Sequence, residues 1–270
     1  MPYKLELNGI TLTYTSTAGS VTALADLDLQ LKAGEPVALI GPSGSGKTTS
    51  LLLAAGLIKP TRGEVIIDGE PILEPRSQTA LILQDYGLLP WKSVYENAAL
   101  GLQIRRVDRL DRRRLTEEAL TKVGLLPYAG MYPDELSGGM RQRVALARVL
   151  TLDADLLLMD EPLSSLDALL RETMQDMLLD LWKERCYSQL LVTHSIEEAA
   201  YLGARIIVMD ESPGRIRAEI ANPQMGGHDY RSDPAFFETC QQIRETLAEG
   251  SSTRVDKTMP AGDEMNADHA

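Results

Sequence analysis

Two hydrophobic patterns divide the chain. Near the N-terminus, Leu27, Leu29 and Leu31 alternate with polar residues, which is the period-two pattern of a strand with one buried face. Further along, short runs are almost wholly apolar, as is typical of strands buried on both faces. These runs are Val37–Ile40, Asp155–Met159, Leu190–Thr193 and Ile206–Met209. The sequence therefore predicts β-structure over about the first 35 residues and a separate internal sheet after it.

Helical patterns separate the apolar runs. Between Ala168 and Glu184 one helix face collects Leu170, Met174, Met177, Leu178 and Leu181. Buried strands that alternate with helices predict a mostly parallel α/β sheet covered on both faces. Strand-like runs end at about Asn222. We expect a short helix over Pro234–Glu249 and, from composition, a disordered end beyond Gly250.

The net charge of the chain limits the classes of molecule that it is expected to bind. The 270 residues carry 27 basic and 39 acidic side chains, a net charge of −12. So negative a surface argues against general nucleic-acid binding but allows one small positive pocket. No apolar run approaches the length of a membrane span, and the first residues, MPYKLELNG, do not predict a secretion signal. The stretch Arg105–Arg114 contains six arginines and precedes an amphipathic pattern, which favours a solvated helix and linker over a phosphate or lipid-headgroup site.

A glycine-rich segment follows the first buried run. Its sequence, GPSGSGKT over residues 41–48, fits G-x-x-x-x-G-K-[ST] between a predicted strand and a helix that begins near Thr48. Glycines let backbone N–H groups turn towards phosphate oxygens, and the helix N-terminus adds more. Lys47 can neutralise the β- and γ-phosphates, and the Thr48 hydroxyl can bind Mg²⁺. The segment predicts a nucleoside triphosphate site rather than a turn with a chance lysine.

Two adjacent carboxylates end a second buried run. Asp160 can hold Mg²⁺, directly or through water, and Glu161 can polarise an attacking water beside the γ-phosphate. A strand that simply enters a polar turn is the alternative. Because ligands collect at the carboxyl ends of parallel strands, the upstream glycine-rich segment favours the nucleotide interpretation.

Single polar residues follow two other predicted strands. Gln84 follows Ala80–Leu83, and His194 follows Leu191–Thr193. An amide oxygen can ligate Mg²⁺ and sense the γ-phosphate, and an imidazole can donate a hydrogen bond to that phosphate. Each residue alone would be typical of a polar surface. Their shared position at strand ends instead predicts that both belong to the nucleotide site.

A second anion-binding segment lies between these halves. Ser137 is a suitable N-cap residue, and Gly138 and Gly139 expose backbone N–H groups at the start of a helix that runs through Leu150. Spacing alone does not separate this segment from an ordinary capped helix.

Together the motifs resemble a known family. The ordered set is GPSGSGKT at 41–48, Gln84, LSGGM at 136–140, LLLMDEP at 156–162, SSLD at 164–167 and His194. It resembles the nucleotide-binding subunit of ATP-binding-cassette (ABC) transporters over about residues 3–220. The resemblance implies a P-loop NTPase: a RecA-like α/β core, an N-terminal antiparallel β-subdomain and an inserted α-helical subdomain at about 88–155. It implies a cassette over 1–221 and a C-terminal extension over 222–270.

The resemblance also implies roles by position. Such cassettes bind ATP and Mg²⁺ and hydrolyse ATP as a dimer, with each ATP between the phosphate loop of one copy and the Ser-Gly-Gly of the other. Glu161 would activate the water and His194 would contact the γ-phosphate, while Thr48, Gln84 and Asp160 would serve the metal. The nucleotide contacts would be Tyr14, Gly41, Pro42, Ser43, Gly44, Ser45, Gly46, Lys47, Thr48, Thr49, Gln84, Ser137, Gly138, Gly139 and Asp167. Tyr14 would stack on adenine, although a strand tyrosine commonly serves packing.

The segment after Gln84 narrows the resemblance. Leu-Leu-Pro-Trp at 88–91, Asn97, Met140 and Ser-Pro-Gly-Arg-Ile at 212–216 are similar to importers of the nitrate, sulfonate and taurine type. This implies a peripheral subunit at the cytoplasmic face of the membrane, which powers uptake of a small anionic or polar solute. The region Gln84–Asn97 would receive a coupling helix of the integral-membrane permease, and a substrate-binding protein would be an indirect partner. For Trp91, an ordinary half-buried aromatic is the alternative.

Two departures from the family pattern stand out: Met140 replaces a glutamine, and the segment Ser164–Asp167 has a serine where alanine is usual. Neither changes the expectation of hydrolysis. An importer of another solute remains an alternative, and so does a soluble cassette ATPase of DNA repair or translation. The latter would be expected to show a second cassette, a zinc insertion or coiled-coil arms, and a basic surface. A non-hydrolysing regulatory binder would be expected to lack Glu161 or His194.

Overall fold

The computed structural model describes residues 3–16 and 19–252. Most of the predicted disordered end therefore lies outside the described residues. The strands in the described part are β1 (Tyr3–Ser16), β2 (Gly19–Lys32), β3 (Pro36–Ile40), β4 (Arg62–Ile67), β5 (Glu70–Pro71), β6 (Thr79–Ile82), β7 (Leu156–Asp160), β8 (Ser188–Thr193), β9 (Arg205–Met209) and β10 (Ile216–Ala221). The α-helices there are α1 (Lys47–Ala54), α2 (Val94–Ala98), α3 (Leu100–Ile104), α4 (Arg109–Lys122), α5 (Gly138–Leu150), α6 (Ala168–Arg185), α7 (Ile196–Leu202) and α8 (Pro234–Ser252).

The N-terminal strands form an antiparallel sheet in the order β2-β1-β4-β5. Leu27, Leu29 and Leu31 are buried, whereas Asp28 and Lys32 are exposed, so the alternation does mark one buried face. The predicted N-terminal β-structure is confirmed.

The remaining strands form a six-stranded sheet in the order β10-β9-β3-β8-β7-β6. All its pairs are parallel except that of the edge strand β10 with β9. The strands β3, β8, β7 and β6 are neighbours and point the same way. The segments that follow them therefore leave the sheet at one edge, which is where the site residues were expected to meet.

Strand β3 explains why the apolar runs lack alternation. Val37 and Leu39 enter the apolar cluster that the sheet shares with the N-terminal sheet and α1, whereas Ala38 and Ile40 enter the cluster that it shares with the other helices. A strand covered on both faces must be apolar at every position. The prediction of a mostly parallel, doubly covered α/β sheet is confirmed.

Helices α2 to α5 lie between β6 and β7 in the chain. Helix α4 begins at Arg109, inside the arginine-rich stretch, so the first part of the stretch precedes the helix and the second part forms its first turns. Arg113 pairs with Glu117 at 2.8 Å, and Arg114 pairs with Glu118 at 3.2 Å. These exposed pairs one helical turn apart are those of a solvated helix face, as the sequence favoured.

The C-terminal extension packs on the core as far as the structure describes it. Helix α8 runs three residues past its predicted end and contacts α7 and β10. Phe236, Cys240 and Ile243 of α8 are buried, and the Tyr230 hydroxyl donates to the Asn222 amide oxygen at 2.6 Å. Within residues 3–16 and 19–252, no helix combines the length and hydropathy needed to cross a bilayer.

Candidate functional site

The glycine-rich segment wraps around the N-terminus of α1. Gly44 and Gly46 have positive φ values of 82° and 84°, which the Cβ of other residues disfavours. At Gly46 a Cβ would also lie 2.5 Å from Leu24 Cδ2. The loop therefore depends on glycine here, and the first N–H groups of α1 are available to an anion.

Lys47 is held inside this loop. Its side chain is buried, and Nζ donates to the carbonyl oxygens of Gly41 and Pro42, both at 2.8 Å, and approaches Ser45 Oγ at 3.3 Å. Burial lowers the pKa of Lys47, while the negative charges of Glu161 and Asp160 act against this change. The ammonium group is thus a partly desolvated cation, whose attraction for phosphate is stronger than at an exposed position.

Thr48 and Asp160 form the oxygen-rich side of the site. The Thr48 side chain hydrogen-bonds to the Asp160 carboxylate, and burial raises the pKa of Asp160. Hydroxyl and carboxylate oxygens are ligands of the kind that Mg²⁺ prefers, and Gln84, which lines the same cavity as Thr48, adds an amide oxygen. Three such residues could hold one Mg²⁺ together with phosphate oxygens and water.

The Glu161 side chain contacts residues that follow two other strands of the sheet. Its Oε1 lies 3.2 Å from His194 Nδ1, and its Oε2 accepts a hydrogen bond from Gln84 Nε2 at 3.4 Å. Its φ is 49°, a left-handed conformation unusual for a residue with a side chain, and its N–H donates to the Val192 carbonyl at 2.9 Å. The backbone therefore turns out of β7 just where the carboxylate must face the cavity.

Most of these residues surround one cavity of about 540 Å³, although the buried Asp160 is not part of its lining. Its lining is Ala23, Gly41, Ser43, Gly44, Gly46, Lys47, Thr48, Thr49, Gln84, Glu161, Val192 and His194. A larger cavity of about 730 Å³ lies beside it and includes Pro42, but that cavity is lined by neither Lys47 nor Glu161. The smaller cavity is therefore the one suited to phosphate, because it brings together one lysine, the helix N-terminus and the carboxylate.

Several predicted site residues lie outside this cavity. Ser45 is fully buried beneath the loop. Ser137 caps α5 and accepts from the Met140 N–H at 3.2 Å, with Gly138 and Gly139 in the first turn. Asp167 caps α6 in the same way and accepts from the Leu170 N–H at 3.0 Å.

Tyr14 is also outside the cavity. It lies on β1 opposite Val21 and is 49% exposed. The described chain thus brings Ala23, rather than Tyr14, to the cavity lining, and the adenine contact of Tyr14 stays a prediction.

Three further residues support the site, and the sequence predicted none of them there. Gly214 donates to the Ala23 carbonyl at 2.9 Å, and a Cβ there would collide with the Ser45 carbonyl. Gln142 is fully buried and donates to the Glu161 carbonyl at 3.3 Å. Glu198, in the first turn of α7, is buried behind Thr193. The available signals were glycine in Ser-Pro-Gly-Arg and polar residues on otherwise apolar helix faces.

Comparison with known proteins identifies the family. A family model described as "ABC transporter" matches residues 24–164, which is more than half of the chain. The chain belongs to the ABC transporter family. This cassette is 46% identical over 220 residues to the "Taurine import ATP-binding protein TauB" of Roseobacter denitrificans, a match that covers 81% of the chain and 82% of the relative. The protein of the same description from Burkholderia thailandensis is 41% identical over 251 residues, covering 90% and 96% respectively.

Solved structures agree with this assignment. The dimeric post-hydrolysis state of the ATP-binding cassette MJ0796 bound to ADP and Pi superposes with a TM-score of 0.75 at 32% identity, covering 80% of this chain and 98% of that one. The cbiO1 protein of Clostridium perfringens, described as part of the complex cbiONQ, gives a TM-score of 0.69 at 26% identity, covering 83% and 90%. The cassette is thus an ATP-binding P-loop NTPase and an ABC-type ATPase, and the predictions of family, fold class and ATP hydrolysis are confirmed.

Proposed function

We propose that this cassette hydrolyses MgATP as one of two identical copies and thereby powers an importer for a small sulfonate or a chemically related solute. The proposed hydrolysis of ATP is supported by one observation: a single cavity is lined by Lys47, Gln84, Glu161 and His194. Glu161 would take a proton from water that attacks the γ-phosphate, and His194 would orient that carboxylate and the phosphate. Mg²⁺, held by Thr48, Gln84 and Asp160, would supply charge neutralisation at the β- and γ-phosphates.

The remaining nucleotide contacts support a second copy. Ser137 and Asp167 lie outside the cavity of their own chain, yet each caps a helix and keeps polar atoms for another partner. An ATP held by the phosphate loop of one copy and by the Ser137–Gly139 turn of the other would join both chains. Hydrolysis would remove contacts that only the closed dimer makes, so the dimer would reopen.

The permease would contact the segment Gln84–Asn97. Asn97 is fully buried and holds this segment in place, since its amide donates to the carbonyls of Leu89, Lys92 and Ser93 and accepts from the Leu89 N–H. Trp91 is 71% exposed, so the alternative of a half-buried packing residue does not fit it. An exposed aromatic on a rigid segment is suited to a protein contact.

The proposal includes the domain division and the location. Residues 1–221 would form the cassette, with the helical subdomain at about 88–155, and 222–270 would form an extension. The cassette would bind at the cytoplasmic face of the membrane through its permease, without contacting nucleic acid or the solute. The solute class rests on the taurine-import names of relatives that are 41–46% identical.

The proposed function can be tested in host cells that no longer produce the cassette. We expect uptake of radiolabelled taurine or another short sulfonate to be lost and to return when the cassette is supplied again, and we expect the tagged cassette to co-purify with a hydrophobic membrane subunit. The matched control is uptake of nitrate in the same cells. Loss of nitrate uptake with sulfonate uptake intact would mean that the importer carries a solute other than a sulfonate. Recovery of the cassette without any membrane subunit would contradict the proposal that it belongs to an importer.

A further inference from the structure

Three segments of the chain meet at one hydroxyl group. Ser165, in the segment after β7, accepts a hydrogen bond from the Tyr86 hydroxyl at 2.8 Å and donates to Gln142 Oε1 at 2.9 Å. Tyr86 lies two residues after Gln84, and Gln142 belongs to the helix that begins at Gly138. The hydrogen bonds therefore join the segment after β6, the segment after β7 and helix α5.

Gln142 connects this hydroxyl to Glu161. The Gln142 side chain is fully buried, and its Nε2 donates to the Glu161 carbonyl at 3.3 Å. Each polar atom of the amide thus has one protein partner, and loss of Ser165 would leave a buried acceptor unpaired. The Glu161 carbonyl also accepts from Ser164 Oγ at 3.2 Å. The peptide that follows Glu161 is therefore held by two side chains, directly beside the Cα that carries the carboxylate.

Helix α5 also holds the backbone at Tyr86 in place. Tyr86 has a positive φ of 65°, and Arg148 donates to the carbonyl oxygens of Tyr86 and Gly87 at 3.4 and 2.9 Å. The tyrosine ring therefore extends from a braced backbone turn, and its hydroxyl reaches Ser165. A movement of the Gln84–Gly87 segment would pull on that hydroxyl, whereas a movement of Glu161 would reach the same point through Gln142.

We infer that Ser165 is a positioning residue: its hydroxyl couples the Gln84–Gly87 segment to the peptide of Glu161. The inference rests on the proposed function, in that it uses the proposed role of Glu161 in activating water. It adds a residue that touches neither nucleotide nor metal and that transmits displacement between two segments of the site.

Steady-state ATP hydrolysis by the full chain gives the first test. We expect Ser165→Ala and Tyr86→Phe each to lower kcat by about 3- to 10-fold while KM for ATP stays within about twofold. The double variant should be no slower than Ser165→Ala, because both changes break the same connection. Ser165→Thr, which keeps the hydroxyl, should recover most of kcat, and Tyr128→Phe at an exposed tyrosine is the matched control. Additive losses, or no rescue by threonine, would overturn the inference.

Fluorescence of Trp91 gives a second readout that a purely structural role would not move. Subtraction of the spectrum of Trp91→Phe isolates the signal of this exposed residue in the segment after Gln84. MgATP should shift the emission of the wild type, and Ser165→Ala should at least halve that shift at saturating nucleotide, with the Kd of MgATP unchanged. Equal shifts in both proteins, or no shift in a wild type that binds MgATP, would refute the coupling. A wild type that does not bind MgATP would instead refute the proposed site itself.

Discussion

The buried carboxyl of Glu198 should make the stability of this cassette depend on pH in a predictable direction. Glu198 is 3% exposed, and Thr193 Oγ1 donates to its Oε2. Its Oε1 is buried and finds no hydrogen-bonding partner among the described residues. Burial raises the pKa of Glu198 from 4.5 to about 7, against the Thr193 hydrogen bond and the charges of Arg171 and His194, and the charge of Glu161 adds to the increase.

The sign of the effect follows from proton binding. Between pH 4.5 and about 7 the folded chain keeps the Glu198 proton, whereas the unfolded chain loses it. The contribution of this group is therefore fully present below pH 4.5, and it is lost as the pH rises through the pKa of the folded state. The interval from 4.5 to about 7 corresponds to roughly 3 kcal/mol, at about 1.4 kcal/mol per pH unit.

The variant Glu198→Gln isolates this contribution. Glutamine is neutral at every pH and still accepts from Thr193, so any cost of its extra N–H group is the same at each pH. We expect the difference in unfolding free energy, variant minus wild type, to rise by about 3 kcal/mol between pH 4.5 and pH 8. Urea unfolding at four pH values measures it. Glu184→Gln, at an exposed position on α6, is the control and should give a flat difference.

Parallel stability curves for wild type and Glu198→Gln would refute this reasoning. They would mean that the carboxyl ionises in the folded chain as it does in water, and hence that the group is hydrated despite its burial. A difference that falls with increasing pH would be a stronger contradiction, because it would require the ionised form to be the better-bound one.

Three further changes test the site and the segment beside it. Glu161→Gln should lower the rate of ATP hydrolysis by roughly 10²- to 10⁴-fold with nucleotide binding retained, because it removes a proton acceptor but keeps the shape of the side chain. A single-turnover assay measures this rate, and fast turnover would contradict the role of Glu161 in activating water. Lys47→Ala should weaken ATP binding by at least about tenfold, measured by calorimetry, since it removes a partly buried cation that faces the phosphates; unchanged affinity would contradict it. Asn97→Ala should destabilise the chain by about 1–3 kcal/mol in urea unfolding, because the partly buried carbonyls of Leu89 and Lys92 lose their donors, and an unchanged midpoint would show that water replaces them.

The edge of the sheet where the site lies could be predicted from the sequence for a simple reason. Gln84, Glu161 and His194 each follow an apolar run, and parallel strands with the same direction must end at the same edge. Local order along the chain thus determines a three-dimensional cluster. The structure agrees with this expectation, because Glu161 contacts both His194 and Gln84, and it supplies the distances between them.

The supporting residues could not be predicted in the same way. Gln142 and Glu198 are single polar residues on otherwise apolar helix faces, and Gly214, although part of the Ser-Pro-Gly-Arg-Ile segment, has no local feature that indicates a contact with the phosphate loop. Their roles come from what tertiary packing brings beside them: the Glu161 carbonyl, the Thr193 hydroxyl and the Ser45 carbonyl. No local periodicity encodes such contacts. The start of α4 is a different case, because Asp108 caps the helix through hydrogen bonds with residues two and three positions on, which is a local signal.

The division of nucleotide contacts between two copies has a chemical basis in how Ser137 is used. Its oxygen accepts from the Met140 N–H, but the hydroxyl hydrogen of a capping serine is still free to be donated. A phosphate oxygen is an acceptor that this hydrogen suits, and the neighbouring N–H groups of Gly138 and Gly139 point the same way at the start of α5. Lys47 and the N-terminus of α1 provide a comparable set of donors in the cavity. Because Ser137, Gly138 and Gly139 do not line the cavity that contains Lys47, the two donor sets can act on the same triphosphate only if a second chain supplies one of them, which supports the proposed dimer.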